Sequence, residues 1–275
     1  MPEGDTLFRT AAGLRPFLVG HTVTAARARQ PGPQADRLVG AAVTAVEARG
    51  KNLLIRFDNG LELRTHLQMH GSWHRYRPGE RWRRPPARAR LVIEVPGSVA
   101  VCFDAPTVEL FEQRTEALHG ALSKLGPDLL RDPFDLAEVL RRLRDPARAG
   151  MTVAQALLDQ RALAGVGNVY KNEVLFLERV SPFSTVADLD DDTLARLVDT
   201  AKRLLRANAA APSRGVERVT TTRSRNADGP LWVYGRSGRP CRRCGAPIRS
   251  EVQGTDLPRL SYWCPRCQPD ARRAE

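Results

Sequence analysis

Two groups of residues in this chain have the types and spacing to do chemistry. The first is Met1-Pro2-Glu3. Removal of Met1, which a small second residue permits, would leave a secondary amine one residue from a carboxylate. An α-amino group has a reference pKa of about 7.7–8.0, so an appreciable fraction is unprotonated near neutral pH. Such an amine can attack a sugar carbon and form an iminium, as a catalytic lysine does with a carbonyl. Glu3 stands where it could move protons at the same centre. The dipeptide also suits an ordinary helix start, because Pro and an acid both favour the first turn. Taken alone, the two residues leave both readings open.

The second group is Cys241, Cys244, Cys264 and Cys267, two CxxC pairs separated by Gly245 to Trp263. Each pair can grip one ion with two thiolates, and two pairs complete a tetrahedral four-cysteine site for one structural Zn2+. Protein fills all four positions, so none is open for zinc catalysis. So short a segment cannot fold alone, and the metal supplies its stability. Arg242, Arg243, Arg249, Arg259 and Arg266 make it a basic finger. Cys102 stands apart on an apolar run and reads as a buried, inert thiol.

Three further stretches are suggestive. Leu163-Ala164-Gly165-Val166-Gly167-Asn168 lies between two helical patterns. Its glycines and Asn168 could present N–H groups to a phosphate, or form a tight turn with an Asn cap. Lys51 follows Arg49-Gly50 just before a strand, where a lysine is usually a solvated charge, although Gly50 would allow close approach of a ligand. Gln68-Met69-His70 at the next strand end could wedge into a base stack, or Met69 could simply be core.

These residues need elements to hold them. Leu7, Ala11, Leu14 and Leu18 define one face of a helix over 5–19, with Asp5 and Thr6 as candidate caps and Gly20 as the stop. From Thr22 to Asp104 short β-like runs follow, among them Val39 to Val46. Asp58-Asn59-Gly60 and Pro96-Gly97 mark two hairpins. One helix and about eight strands predict a β-sandwich. The Arg- and Pro-dense stretch 77–90 reads as an exposed loop. Past a linker at Gly126 to Pro133, helices are expected over 134–144, 151–160, 168–179 and 188–208, and a flexible basic loop over 209–230. The whole is an α+β multidomain chain of 1–125, 126–230 and 231–275.

Composition bounds the partners. Lys+Arg 43 against Asp+Glu 31 leaves a net charge of +12, with a pI near 10.3. That excess points to a polyanionic partner, most simply nucleic acid, although surplus surface arginine alone would also produce it. No uncharged apolar stretch of about 18 residues predicts a membrane span, and the N-terminus has no secretory core. A cytoplasmic, reducing setting follows, in which the five cysteines are ligands or thiols rather than disulfides.

The combination resembles the bacterial formamidopyrimidine-DNA glycosylase / endonuclease VIII family. It rests on the N-terminal Pro-Glu-Gly, Arg49-Gly50-Lys51 before a hairpin, Leu157-Leu158-Asp159-Gln160 leading to Ala164-Gly165-Val166-Gly167-Asn168, and the C-terminal four-cysteine finger, in that order along essentially the whole chain. Met-Pro-Glu-Gly-Asp-Thr and Trp232-Val233-Tyr234-Gly235-Arg236 are most similar to the actinobacterial endonuclease VIII-like branch. The resemblance implies an N-terminal β-sandwich, a helix-two-turn-helix domain and a zinc finger, with damaged DNA held between them. It implies that mature Pro2 attacks C1′ of the damaged nucleotide, that Glu3 donates and accepts protons, and that β-elimination follows. Lys51 matches the lysine assigned to that step and to phosphate contact, and Arg259 the finger arginine linked to δ-elimination. Asn168 matches a phosphate-binding Asn, Lys124 a basic DNA contact, and Gln68, Met69 and His70 the wedge that fills the flipped nucleotide's gap. It implies a nucleoid-associated monomer. The wedge departs from the endonuclease VIII pattern Gln-Leu-Tyr, which alters its stacking partner. Lys124 stands in place of an Arg and loses the bidentate fork.

Two classes of function remain. One is a bifunctional glycosylase/lyase for oxidised pyrimidines, or for purines such as 8-oxoguanine. The other is a zinc-finger protein that binds damaged DNA without chemistry. Charge, finger and Asn168 serve both; only Pro2, Glu3 and Lys51 separate them.

Overall fold

The computed structural model describes residues 2–210, 220–222, 231–254 and 258–269. Met1 and most of the basic loop over 209–230 lie outside the described residues. Contacts divide the chain into two compact units, Met1–Lys124 and Leu125–Glu275.

The first unit opens with α1 (Gly4–Leu18). Eight strands follow: β1 (Ala25–Ala28), β2 (Val43–Arg49), β3 (Asn52–Phe57), β4 (Leu61–His66), β5 (Ser72–Tyr76), β6 (Ala89–Val95), β7 (Ser98–Phe103) and β8 (Thr107–Glu112). They form two four-stranded sheets, ordered β2-β3-β4-β8 and β1-β6-β7-β5. This is the expected helix plus β-sandwich. Alternation places Leu53, Ile55 and Phe57 of β3, Leu61 and Leu63 of β4, and Leu91, Ile93 and Val95 of β6 in one core with Leu7, Ala11, Leu14 and Leu18 of α1. The hairpin turn at Asn59-Gly60 holds, with Gly60 at φ 79°.

The local expectations need four corrections in this unit and the next. The first helix begins at Gly4 with Glu3 as its N-cap, so Asp5 and Thr6 lie inside it; Asp5 instead pairs with Arg9 at 3.2 Å. The strand expected over Val39 to Val46 starts only at Val43. Residues 77–90 are not merely a loop. Trp82 stacks on Tyr76 and meets Phe103 edge-on, covering the outer face of its sheet, and β6 begins at Ala89. In the second unit the helix expected over 151–160 is one turn, because Asp159 turns back to bond Arg148 and Arg161.

The second unit contains α2 (Leu136–Leu143), α3 (Val153–Ala156), α4 (Asn168–Leu177) and α5 (Asp191–Ala209), followed by the hairpin β9 (Arg249–Gln253) and β10 (Arg259–Trp263). Thr152 and Gln155 form a capping box on α3. Asp135 and Asp190 cap α2 and α5. Tyr170, Val174 and Leu175 of α4 pack with Leu194, Leu197, Val198 and Ala201 of α5. No helix among the described residues is long and apolar enough to cross a membrane.

Candidate active site and nucleic-acid interface

The direction of α1 on its sheet decides where the N-terminal residues fall. The Gly20 N–H donates to Val43 at 2.9 Å, and Arg15 donates to the carbonyl of Val46 at 2.9 and 3.1 Å. Helix and strand therefore run antiparallel. Following α1 back toward Pro2 leads along β2 to Arg49 and the two-residue turn Gly50-Lys51. Gly50 has φ 58°, the conformation a tight hairpin of this kind needs. Asn52 pairs with His66, and His66 with Thr107, so the end of β4 and the loop after it emerge at the same end. The fold thus gathers Pro2, Glu3, Lys51, Gln68, Met69 and His70 at one end of the sandwich.

Glu3 is fully buried and its side chain does not cap the helix, while Pro2 is half-buried. The loop tip is closed by the Gly71 N–H donating to Leu67. A Cβ at Gly71 would lie 2.6 Å from the Leu67 oxygen, so only glycine fits. Gln68 takes a positive φ of 46°. Met69 is 59% exposed, which overturns the reading of it as core. Arg84 ties the tip down, donating to the His70 carbonyl at 3.1 Å and to Asp104 at 2.5 Å.

Behind Lys51 lies a polar set that sequence reasoning missed. Arg64 donates to Asn52 at 2.9 Å and to Glu109 at 2.5 Å, and His119 approaches Glu109 at 3.2 Å. Burial, then the charges of Arg64 and Lys51, push His66 down to about 4, so its imidazole is neutral at physiological pH. Their only sequence signal is charge placed on otherwise apolar strands. Cys102 is fully buried and burial pushes its thiol up, as expected of an inert cysteine.

In the second unit, α4 is the hub. Gly167, not Asn168, is its N-cap. Asn168 is 6% exposed and donates to the Leu260 carbonyl at 3.1 Å. The same carbonyl accepts from Lys171 at 3.2 Å and Asn172 at 3.4 Å. Lys171 also reaches the Ser261 hydroxyl at 2.9 Å, and Asn172 accepts the Tyr262 N–H at 2.7 Å. One face of α4 thereby fixes β10 beside Arg259, which is exposed. Glu173, fully buried, accepts the N–H groups of Trp232, Val233 and Tyr234 at 2.7, 2.9 and 2.9 Å. Lys171, Asn172 and Glu173 were not foreseen; the signal was four polar residues within Asn168 to Glu173 of a helix otherwise made for a core. Lys124 is exposed, at the last residue of the first unit.

The four finger cysteines converge. Their sulfurs lie within 4.8 Å of one another, with Cys241–Cys267 at 3.9 Å and Cys244–Cys264 at 3.4 Å. Zn–S bonds of about 2.3 Å in a tetrahedron require sulfurs about 3.8 Å apart, so the set fits zinc. The Arg243 N–H points at the Cys241 sulfur at 3.4 Å, and Gly245 turns the knuckle at φ 78°. Burial, then contact with Cys244 and Cys264, pushes the Cys267 thiol up to about 12, so a cation is needed to make it a thiolate.

Comparison with known proteins agrees with this architecture. The chain matches the formamidopyrimidine-DNA glycosylase N-terminal domain over residues 1–108, the H2TH domain of the same enzymes over 125–219, and the zinc finger found in FPG and IleRS over 238–269. It belongs to the formamidopyrimidine-DNA glycosylase / endonuclease VIII family. Among its relatives is a protein of Streptomyces coelicolor named probable endonuclease 8 2, 43% identical, covering 98% of this chain and 94% of that one. Another is the DNA-(apurinic or apyrimidinic site) lyase Nei2 of Mycolicibacterium smegmatis, 41% identical over 98% and 99%. Endonuclease 8 of Escherichia coli is 32% identical over 98% and 100%. A solved complex of Lactococcus lactis Fpg with DNA containing an N7-benzyl-Fapy-dG superposes with a TM-score of 0.80, covering 98% of this chain and 100% of that one, and at 23% identity it speaks for the fold.

Proposed function

We propose that this protein is a bifunctional DNA glycosylase/AP lyase of base-excision repair. The observation that carries the reading is the pairing of a fully buried, non-capping Glu3 with Pro2 at the same end of the sandwich as Lys51. After loss of Met1, the Pro2 nitrogen attacks C1′ of the damaged nucleotide and the base leaves as the iminium forms. Glu3 supplies and accepts the protons of base loss and sugar opening. The iminium acidifies C2′, and loss of that proton breaks the 3′ C–O bond. Lys51 assists this step and holds the adjoining phosphate, and Arg259 assists δ-elimination at the 5′ side. Water then releases the amine.

Gln68, Met69 and His70 fill the space of the extruded nucleotide from the exposed loop tip. Asn168, where helix N–H groups attract anions, and Lys124 hold the backbone. One zinc, bound by Cys241, Cys244, Cys264 and Cys267, supplies folding energy and takes no part in bond breaking. The domains are 1–125, 126–230 and 231–275, and the working form is a cytoplasmic, nucleoid-associated monomer. Oxidised pyrimidines are the substrate class in this reading, taken from the resemblance of Met-Pro-Glu-Gly-Asp-Thr and Trp232-Val233-Tyr234-Gly235-Arg236 to the endonuclease VIII-like branch.

Borohydride trapping tests the reading. Protein shown by mass spectrometry to begin at Pro2 is mixed with duplexes bearing an abasic site, 5-hydroxyuracil or 8-oxoguanine. Covalent adducts are expected on the first two. Adducts on 8-oxoguanine in preference to 5-hydroxyuracil would move the substrate to purines. No adduct on any duplex would leave a DNA-binding protein without chemistry.

A further inference from the structure

Three arginines of the second unit surround one concavity. Arg179, Arg243, Cys244, Arg266, Cys267 and Pro269 line a hollow of about 430 Å3, a size usual for small-ligand sites. All three arginines are exposed, and none is ion-paired among the described residues. Arg243 is held in place by the ring of Phe176, 4.5 Å from its guanidinium, and by a 3.4 Å bond to the Phe176 carbonyl.

Arg179 sits where a glycine is usual. It follows the C-cap of α4 with φ 59°, its N–H donating to Phe176 at 3.2 Å and the Val180 N–H to Leu175 at 2.9 Å. That is a Schellman end, whose left-handed residue is normally Gly. A side chain there is strained. A cation at a helix C-terminus complements the dipole, which accounts for one arginine and not for three that converge with no acid paired to them among the described residues. A filled four-thiolate zinc site carries a formal charge of −2, which offsets part of the three charges.

The hollow is distinct from the other end of α4. Asn168 and the Leu260 carbonyl lie at the N-terminus, and α4 spans ten residues, so the two ends are about 15 Å apart. Guanidinium forks match oxyanions, and three of them around a hollow match a phosphodiester. We propose that Arg179, Arg243 and Arg266 form a second phosphodiester site, which grips the backbone of duplex DNA away from the lesion. The inference takes its DNA partner from the reading above and needs none of that reading's chemistry.

The test is binding of undamaged duplex DNA, followed by fluorescence anisotropy across a range of NaCl concentrations. The double variant Arg179→Gly, Arg266→Gln leaves Arg243 on its aromatic support. A control, Arg141→Gln with Arg196→Gln, removes two exposed arginines that are already paired with Glu138 and Glu178. Each phosphate contact contributes about 0.9 to the slope of log K against log salt. The hollow variant, which loses most of this one phosphate contact, should lose up to about 0.9 of slope and bind roughly 5-fold more weakly at about 0.15 M salt. The control should stay within a small fraction of that change. A hollow variant that matches the control overturns the proposal. So does one that loses zinc with its slope intact, since the arginines would then serve only the metal. If the double variant does not fold, Arg179→Gly alone, outside the finger, should show half the slope change, and an unchanged slope overturns the site. Borohydride trapping on an abasic duplex, run on the same preparations, reports the catalytic reading separately.

Discussion

Removing the Glu173 carboxylate should release the finger from the helical core. Glu173 is fully buried, and its two oxygens accept three successive backbone N–H groups, of Trp232, Val233 and Tyr234, together with the Thr221 hydroxyl. The N–H groups belong to the segment that leads into the knuckle, about 60 residues away in sequence. In Glu173→Ala those three donors lose their acceptor in a buried place. Each orphaned donor costs about 1–3 kcal/mol. Water admitted to the space recovers part of this, so a net loss of about 4 kcal/mol is expected, a large share of a stability of about 5–15 kcal/mol. For a unit of this size that is about 8–16 °C in Tm. Glu173→Gln keeps one acceptor oxygen and should lose about half as much. Thermal unfolding by circular dichroism measures the first quantity. Transfer of zinc to a coloured chelator measures the second, and should accelerate in the same order, Gln then Ala. A Glu173→Ala protein with wild-type Tm and wild-type zinc release would refute the reasoning, because the segment would then be held by something other than that carboxylate.

Further outcomes follow from the same structure. Gly71→Ala drives a Cβ to 2.6 Å from the Leu67 oxygen, so the loop tip must shift; a loss of about 2 kcal/mol is expected by denaturant unfolding, with weaker binding to an abasic duplex. His66 is held near 4 in the folded state against about 6.5 unfolded, so the unfolded chain takes up the proton first. Stability is therefore full above pH 6.5 and falls as pH drops toward 4, by up to about 3 kcal/mol, and His66→Gln should flatten that part of the pH profile. Mass spectrometry under native conditions should find one zinc per chain, and Cys264→Ser should lose it and lower the Tm. Cys102 should stay unmodified by iodoacetamide in the native protein and react once it is unfolded.

Much of this was legible in the linear chain. The two CxxC pairs announced a metal centre because a knuckle is a four-residue matter, and the structure brings all four sulfurs together. Asn59-Gly60 announced a hairpin because only certain residues take a left-handed turn. The alternation along β3, β4 and β6 announced a sandwich because side chains of a strand alternate faces. Local rules misplaced the helix cap at Asp5, the helix at 151–160 and the covering role of Trp82, because in each case a contact made far along the chain outweighed propensity.

What sequence alone determined, then, is chemistry that lives within a few residues: an amine beside a carboxylate at Pro2-Glu3, a four-thiolate chelate, tight turns and the period of each strand. Only the tertiary structure decided which end of the sandwich receives Pro2, since that depends on Arg15 reaching Val46 across the helix–sheet contact. Folding alone exposed Met69, buried Lys171, Asn172 and Glu173 against a finger 60 to 90 residues away, and set Arg179 beside Arg243 and Arg266. The physical reason is one of range. Backbone geometry is settled by near neighbours, whereas burial and the partners of a buried polar group are set by whatever the packed chain brings alongside.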